Sequence, residues 1–380
     1  MTQPKLHPFN RPYRSARELD YIRQCLEGGD LAGDASFTKR CHAWLAEKTG
    51  CGKALLTTSC TAALEMTALL LGLEPGDEVI VPSFTFVSCA NPYVLFGARV
   101  VFADVRPDTL TLDWATVEPL LTPRTKAVVM VHYAGITVDP DVLAARLAER
   151  GVRLIEDNAH GLLGSWRGRP FGSFGNAATL SFHESKNFTC GEGGALLLNE
   201  ENWFARAEIL REKGTNRSAF FRREVAKYNW VDVGSSYLAA DILAAMLLAQ
   251  FEEADAIQSR RGALWDRYQT ELAAWAAEQG VRLPHVPAEC SPSWHLYFIV
   301  FPDHDTRERA IQWFRDDGIE TYFHYLPLHL SPMGLSLGGK QGQCPESERA
   351  GSCLLRLPLH PLLEEARQAQ IIARLKDFRR

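Results

Sequence analysis

The chain has no surplus of positive charge: 41 lysines and arginines face 46 aspartates and glutamates, a formal net charge of −5. Without spare cations to neutralise phosphates along a duplex, nucleic acid is excluded as the main partner. Nor is there any run approaching the roughly 20 apolar residues that cross a bilayer. The best stretch, around Ala62 to Leu73, is interrupted by Glu65 and Thr67, so no membrane span is expected. Met1 to Ser15 carries Pro4, Pro8 and Pro12 but no apolar segment of a secretory signal, which makes the cytoplasm the expected compartment. The nine cysteines are scattered, without a Cys-x-x-Cys pair or clustered histidines; buried reduced thiols are expected, and no metal. Also missing is a Gly-x-Gly-x-x-Gly after an apolar strand, which disfavours a nicotinamide enzyme. No internal repeat is visible.

What remains is an ordinary soluble composition, 46% hydrophobic and 23% charged over 380 residues, long enough for a two-domain enzyme. From about Cys51 to Leu198, short apolar runs alternate with helical stretches: Glu78 to Val81, Val100 to Phe102, Ala127 to Val131, Arg153 to Ile155, Ala178 to Phe182 and Ala195 to Leu198. That rhythm predicts an α/β domain with a mostly parallel sheet flanked by helices. Asp104, His132 and Asp157 stand at or just beyond the carboxyl ends of three such runs, the edge where open α/β sheets bind ligands. A helical connector follows from Asp241, with an expected break near Gln258 to Gly262. A smaller α+β unit then reads as strands at His295 to Phe301 and Tyr322 to Leu326, with helices at Thr306 to Gly318 and Leu363 to Phe378. Residues 338 to 346 read as a mobile surface loop. The expected division is 1–245 for the large domain and 246–380 for the connector and small domain.

Four segments carry chemistry. Ser181 to Gly194 runs from a strand end into a glycine-rich turn with Lys186 at its centre. A lysine on a sheet's ligand edge forms a Schiff base if its neighbours favour the unprotonated amine; a solvated loop lysine is the alternative. Asp157, about thirty residues earlier, suits the carboxylate that keeps the ring nitrogen of pyridoxal phosphate protonated, or else a helix N-cap. Thr57 to Thr61 precede an apolar helix, whose first-turn amides and dipole form an anion site compatible with plain capping by Ser59 or Thr61. Phe86, among hydroxyls after a strand, suits stacking on a flat ring or packing in the core.

In order and wording these segments resemble the DegT/DnrJ/EryC1/StrS family of sugar-nucleotide aminotransferases. The likeness runs from about Pro8 to Leu375, through Leu31-Ala32-Gly33-Asp34, Pro75 to Ile80, Val131-His132-Tyr133-Ala134-Gly135 and His183-Glu184-Ser185-Lys186-Asn187. It implies an aspartate aminotransferase-like fold and pyridoxal 5'-phosphate as cofactor. Lys186 then matches the Schiff-base lysine, Asp157 the partner of the pyridine nitrogen and Phe86 the stacking aromatic. Cys60, Thr61 and Ser181 match phosphate donors, and His160 a residue near the phenolic oxygen. Many relatives read Gly-Tyr-Asn-Tyr-Arg where this chain has Gly234-Ser235-Ser236-Tyr237-Leu238. Ser236 therefore replaces an asparagine that reaches the phosphate from a neighbouring subunit, and offers one hydrogen bond in its place. Relatives acting as dehydratases replace the lysine with histidine; this chain keeps it. The wording of Arg211 to Arg217, Gly234 to Tyr237 and Phe323 to His329 implies a branch that transfers an amine from L-glutamate to C4 of a dTDP-4-keto-6-deoxyhexose with galacto outcome. Lys213, Arg217, His324, Tyr325 and His329 are its candidate substrate contacts, and a homodimer with shared sites is implied. The gluco product, a GDP-4-keto-6-deoxymannose or 3-keto-sugar substrate, and a non-catalytic cofactor-holding regulator are the alternatives. A cysteine hydrolase on Cys60 or Cys190 lacks a His and Asn/Asp grouping to support it.

Overall fold

The apolar runs become strands of one sheet in the computed structural model, which describes residues 8–29 and 31–379. In chain order these are β1 (Lys53–Thr57), β2 (Glu78–Pro82), β3 (Arg99–Ala103), β4 (Thr125–Val131) and β5 (Arg153–Asp157). A short hairpin, β6 (Ser165–Trp166) and β7 (Arg169–Pro170), leads to β8 (Ala177–Ser181) and β9 (Gly194–Leu198). The main sheet is ordered β1-β9-β8-β5-β4-β2-β3. Neighbours from β3 to β8 run parallel, while β9 is antiparallel to both β8 and β1. β2 and β9 are buried at every position, as strands covered on both faces must be. Val79 and Val81 join one core with Leu64 and Met66 of the Cys60–Leu71 helix. Ile80 faces the opposite core with Leu143 and Leu147, the period-2 consequence of a pleated strand.

The helical connector breaks earlier than expected, between the helices Asp241–Phe251 and Ala254–Gln279, at Glu253, whose φ of −110° and ψ of 16° are non-helical. Gly262 lies inside the second helix. A Cβ there would approach the Trp294 indole to 3.3 Å, so this glycine serves close packing and does not interrupt the helix. β10 (Cys290–Ser291) returns to pair with β6. β11 (Tyr297–Val300) and β12 (Leu354–Leu357) form an antiparallel pair, packed with the helices His304–Asp316 and Glu365–Asp377 around Phe301, Phe314 and Ile371.

Tyr322 to Leu326 is not a strand: it makes a single bridge, Tyr322 to Arg356. The segment peels away to the end of β2, where the Leu328 amide donates to the Ser83 carbonyl at 2.8 Å. The 338–346 loop is anchored at its end, because Glu346 and Ser347 amides donate to the Asp104 carboxylate at 2.9 and 2.8 Å. Asp104 thus holds a helix start. No helix among the described residues is long and apolar enough to cross a membrane.

Candidate active site

The ends of β5 and β8 and the start of the Cys60–Leu71 helix line one cavity of about 730 Å³. Asp157, the last residue of β5, is buried, and its Oδ1 accepts from the Ala159 amide at 3.1 Å. Burial raises its pKa against the opposing pull of that amide and of Lys186. Its neighbour Glu156 points the other way. There it accepts from His132 Nε2 at 2.8 Å and from the amides of Gly172, Phe174 and Gly175 at 2.7 to 2.8 Å. Burial alone would raise Glu156, but these donors, His132 foremost, hold it below the usual glutamate range. This pair fixes the end of β5 from behind.

Ser59 caps the Cys60–Leu71 helix by accepting from the Ala62 amide at 3.0 Å, and Ser59, Cys60 and Thr61 all line the cavity. First-turn amides lack acceptors within a helix and sit at its positive end, so this wall favours an anion. Burial pushes the Cys60 thiol up, which keeps it neutral there. β9 presses close beneath: a Cβ on Gly194 would lie 2.3 Å from the Ser59 carbonyl carbon and 2.4 Å from the Cys60 nitrogen. Only glycine permits that approach.

The loop after β8 carries Lys186. It is tied down around the lysine by Asn187 Nδ2, which donates to the Ser293 carbonyl at 2.8 Å and to Gln258 Oε1 at 3.1 Å, and by the Thr189 amide, which donates to Gln250 at 3.0 Å. Burial lowers the Lys186 pKa despite the partial support of Cys60 and Asp157. The structure therefore brings an amine biased toward its neutral form, a buried carboxylate and a helix start to one cavity.

Phe86 is 56% exposed and lines the same cavity, as do Ser181, His160, His324 and Tyr325. His160 stacks between His295, with ring centroids at 4.1 Å, and His324 at 6.3 Å. Burial pushes all three well below the ordinary histidine value, keeping them neutral. The expectation for His329 is corrected: it does not line the cavity. Fully buried, it has both ring nitrogens engaged, Nδ1 with Ser83 Oγ at 2.5 Å and Nε2 with Glu348 at 3.0 Å. Lys213, Arg217 and Ser236 also lie off the cavity of the single chain, on its exposed surface, where Lys213 and Arg217 flank Glu212. Sequence reasoning missed His295 and Arg356, both cavity-lining. The signal for Arg356 was a lone cation within the apolar run Leu354-Leu355-Arg356-Leu357.

The model of the DegT/DnrJ/EryC1/StrS aminotransferase family matches residues 12–376. The spore coat polysaccharide biosynthesis protein SpsC of Bacillus subtilis is 32% identical over 391 aligned positions, covering 100% of this chain and 99% of that one. The aminotransferase TlmJ from Streptoalloteichus hindustanus superposes with a TM-score of 0.88 at 32% identity, over 96% of both chains. The putative sugar aminotransferase Spr1654 from Streptococcus pneumoniae, solved in PLP and PMP forms, gives TM-scores of 0.89 and 0.90 at 27% identity. Its PLP form covers 98% of both chains, and its PMP form 97% of this chain and 98% of that one.

Proposed function

The chain belongs to the DegT/DnrJ/EryC1/StrS aminotransferase family, and from that membership we propose that it transfers the amino group of L-glutamate to C4 of a dTDP-4-keto-6-deoxyhexose. The product is dTDP-4-amino-4,6-dideoxygalactose. The chain is a sugar aminotransferase, and its cofactor is pyridoxal phosphate. The cavity's donor set fits that group. The helix start at Cys60 and Thr61, with Ser181, suits its phosphate; Asp157 suits its ring nitrogen; Phe86 suits its ring face; Lys186 suits its aldehyde. When bound, pyridoxal phosphate withdraws electrons from the carbon being deprotonated.

The observation that carries the reading is the convergence of Lys186 and Asp157 on one cavity with an anion-favouring helix start. In the neutral form that burial favours, Lys186 Nζ takes the proton from the amine-bearing carbon of glutamate and later returns one to C4 of the sugar. Asp157 keeps the ring nitrogen protonated. His324 and Tyr325, stacked with centroids at 3.6 Å, offer a flat wall for the sugar and base. Lys213, Arg217 and Ser236 reach the site from a second copy. Their surface also exposes Phe221, Trp230 and Val231, the apolar area that a two-fold contact would cover.

The test is to add L-glutamate and then dTDP-4-keto-6-deoxyglucose to purified protein loaded with pyridoxal phosphate, with Lys186→Ala as control. The expected result is a visible band that bleaches with glutamate, returns with the ketosugar and yields a product whose H4 coupling in NMR is galacto. Bleaching without return refutes the sugar, gluco coupling refutes the stereochemistry, and absence of bleaching refutes glutamate as donor.

A further inference from the structure

Trp294, in the segment leading into β11, has a φ of 49°. A bulky side chain rarely adopts this left-handed conformation, which persists only where the surroundings over-determine it. Its effect is visible in the residues on either side, which both turn to Asn187, the neighbour of Lys186. The Ser293 carbonyl accepts from Asn187 Nδ2 at 2.8 Å, and His295 Nδ1 meets Asn187 Oδ1 at 2.9 Å. Nδ2 also donates to Gln258 Oε1. Two oxygen acceptors are met only by the N–H pair of the amide, so Oδ1 faces the imidazole and the His295 proton resides on Nδ1. One amide is thus gripped at both ends, and Asn187, Ser293, His295 and Gln258 are all buried. The turn is fastened from two sides: buried Arg261 donates to the carbonyls of Trp294, His295 and Leu359, and Ser293 Oγ donates to the His160 carbonyl. Lys186, Asn187 and His295 border one recess of about 10 Å³, room for about one water molecule, so the lysine loop has little slack.

We propose that Ser293 and His295 are positioning residues for Lys186, acting through Asn187, and that the left-handed backbone of Trp294 is kept because it aims both at that amide. This rests on the reading that Lys186 carries the proton. The loop already has a structural anchor, since Phe188 sits in the core and the Thr189 amide donates to Gln250. A second anchor one residue from the amine acts on the amine itself. A proton carrier works only within hydrogen-bond reach of the carbon it serves, and a displacement of about 1 Å can cost about 100-fold in rate. An amide held at both ends resists rotation as well as translation, which a single bond does not.

The experiment uses the full chain and its His295→Leu, His295→Asn and Asn187→Asp variants. Asparagine at 295 places an N–H donor where the imidazole has Nδ1, whereas leucine removes it; aspartate at 187 turns an oxygen toward two oxygen acceptors. Three quantities are read: the rate at which the visible band forms when apo-protein meets pyridoxal phosphate, the affinity for pyridoxamine phosphate, which needs no lysine, and the rate of bleaching at saturating L-glutamate. His295→Leu and Asn187→Asp should slow band formation and bleaching by about 10- to 100-fold, with pyridoxamine phosphate affinity within about threefold of wild type. His295→Asn should recover most of the loss. If one disruptive variant does not fold, the other, set against His295→Asn, carries the conclusion. Undiminished rates, an affinity loss that parallels the rates, or an asparagine variant as slow as the leucine one overturns the proposal. Wild-type protein that forms the band, with the same order among the variants, yet does not bleach with glutamate would keep the grip on Lys186 and refute the transamination reading.

Discussion

Replacing Gly194 with alanine tests whether the helix start at Cys60 is the cofactor's phosphate seat. The added Cβ would lie 2.3 to 2.5 Å from three backbone atoms of Ser59 and Cys60, where ordinary contact begins at 3.4 Å. No side chain can swing away to relieve this, so β9 and the helix start must separate by about 1 Å. Hydrogen bonds to a phosphate do not survive that displacement. A bond to a charged group contributes about 1.5–3 kcal/mol, so losing one or two weakens cofactor binding by roughly tenfold or more. The assay is titration of apo-protein with pyridoxal phosphate, followed by its visible absorption. Gly28→Ala, at a helix end with nothing within 4 Å of the added carbon, is the control and should bind as wild type. Binding by Gly194→Ala within threefold of wild type would refute both the rigidity argument and the placement of the phosphate.

Lys186→Ala should lower single-turnover amine transfer by at least about 10³, the upper range of what a positioned proton carrier contributes; retained turnover would exclude this lysine as that carrier. Burial holds the folded Lys186 pKa below its ordinary 10.5, so between the lowered value and 10.5 the unfolded chain binds more protons than the folded one. Apo-protein stability should therefore rise as pH climbs toward 10.5, and Lys186→Met should be the more stable protein at neutral pH. Urea melts of the two should converge above that pH; parallel curves would count against a buried amine. Glu156→Gln turns an amide group toward two donors and should cost about 2–4 kcal/mol. An unchanged urea midpoint would show that this carboxylate does not hold β5.

Much of the sheet was legible because its strands are apolar on both faces, so composition alone marks them without any need to judge periodicity. Lys186 and Asp157 stood out for the opposite reason, as charged groups where such runs end. Features set by distant partners were not legible. β10 is two residues long and exists only because β6 waits for it. The 322–326 segment has strand-like residues but leads to Leu328, whose amide is drawn to the Ser83 carbonyl just past β2. Gly262 reads as a helix breaker until Trp294 is known to lie against it. His329 shared a segment with His324 and Tyr325 and was assigned with them, yet only those two face the cavity. Arg356 was hidden by its surroundings, since a single cation in a leucine-rich run is seen to line the cavity only once the fold is known.

Ser83, His329 and Glu348 stand in the order hydroxyl, imidazole, carboxylate, at spacings a serine hydrolase would use. Yet the hydroxyl has no exposed surface, and the Ser83 side chain also receives the His329 amide. A fluorophosphonate reagent, which marks serine nucleophiles by reaching them, has no path to this oxygen. Chemical proteomics would thus pass over a trio that a purely geometric template search would retrieve. Solvent access, more than spacing, separates a rivet from a reaction centre.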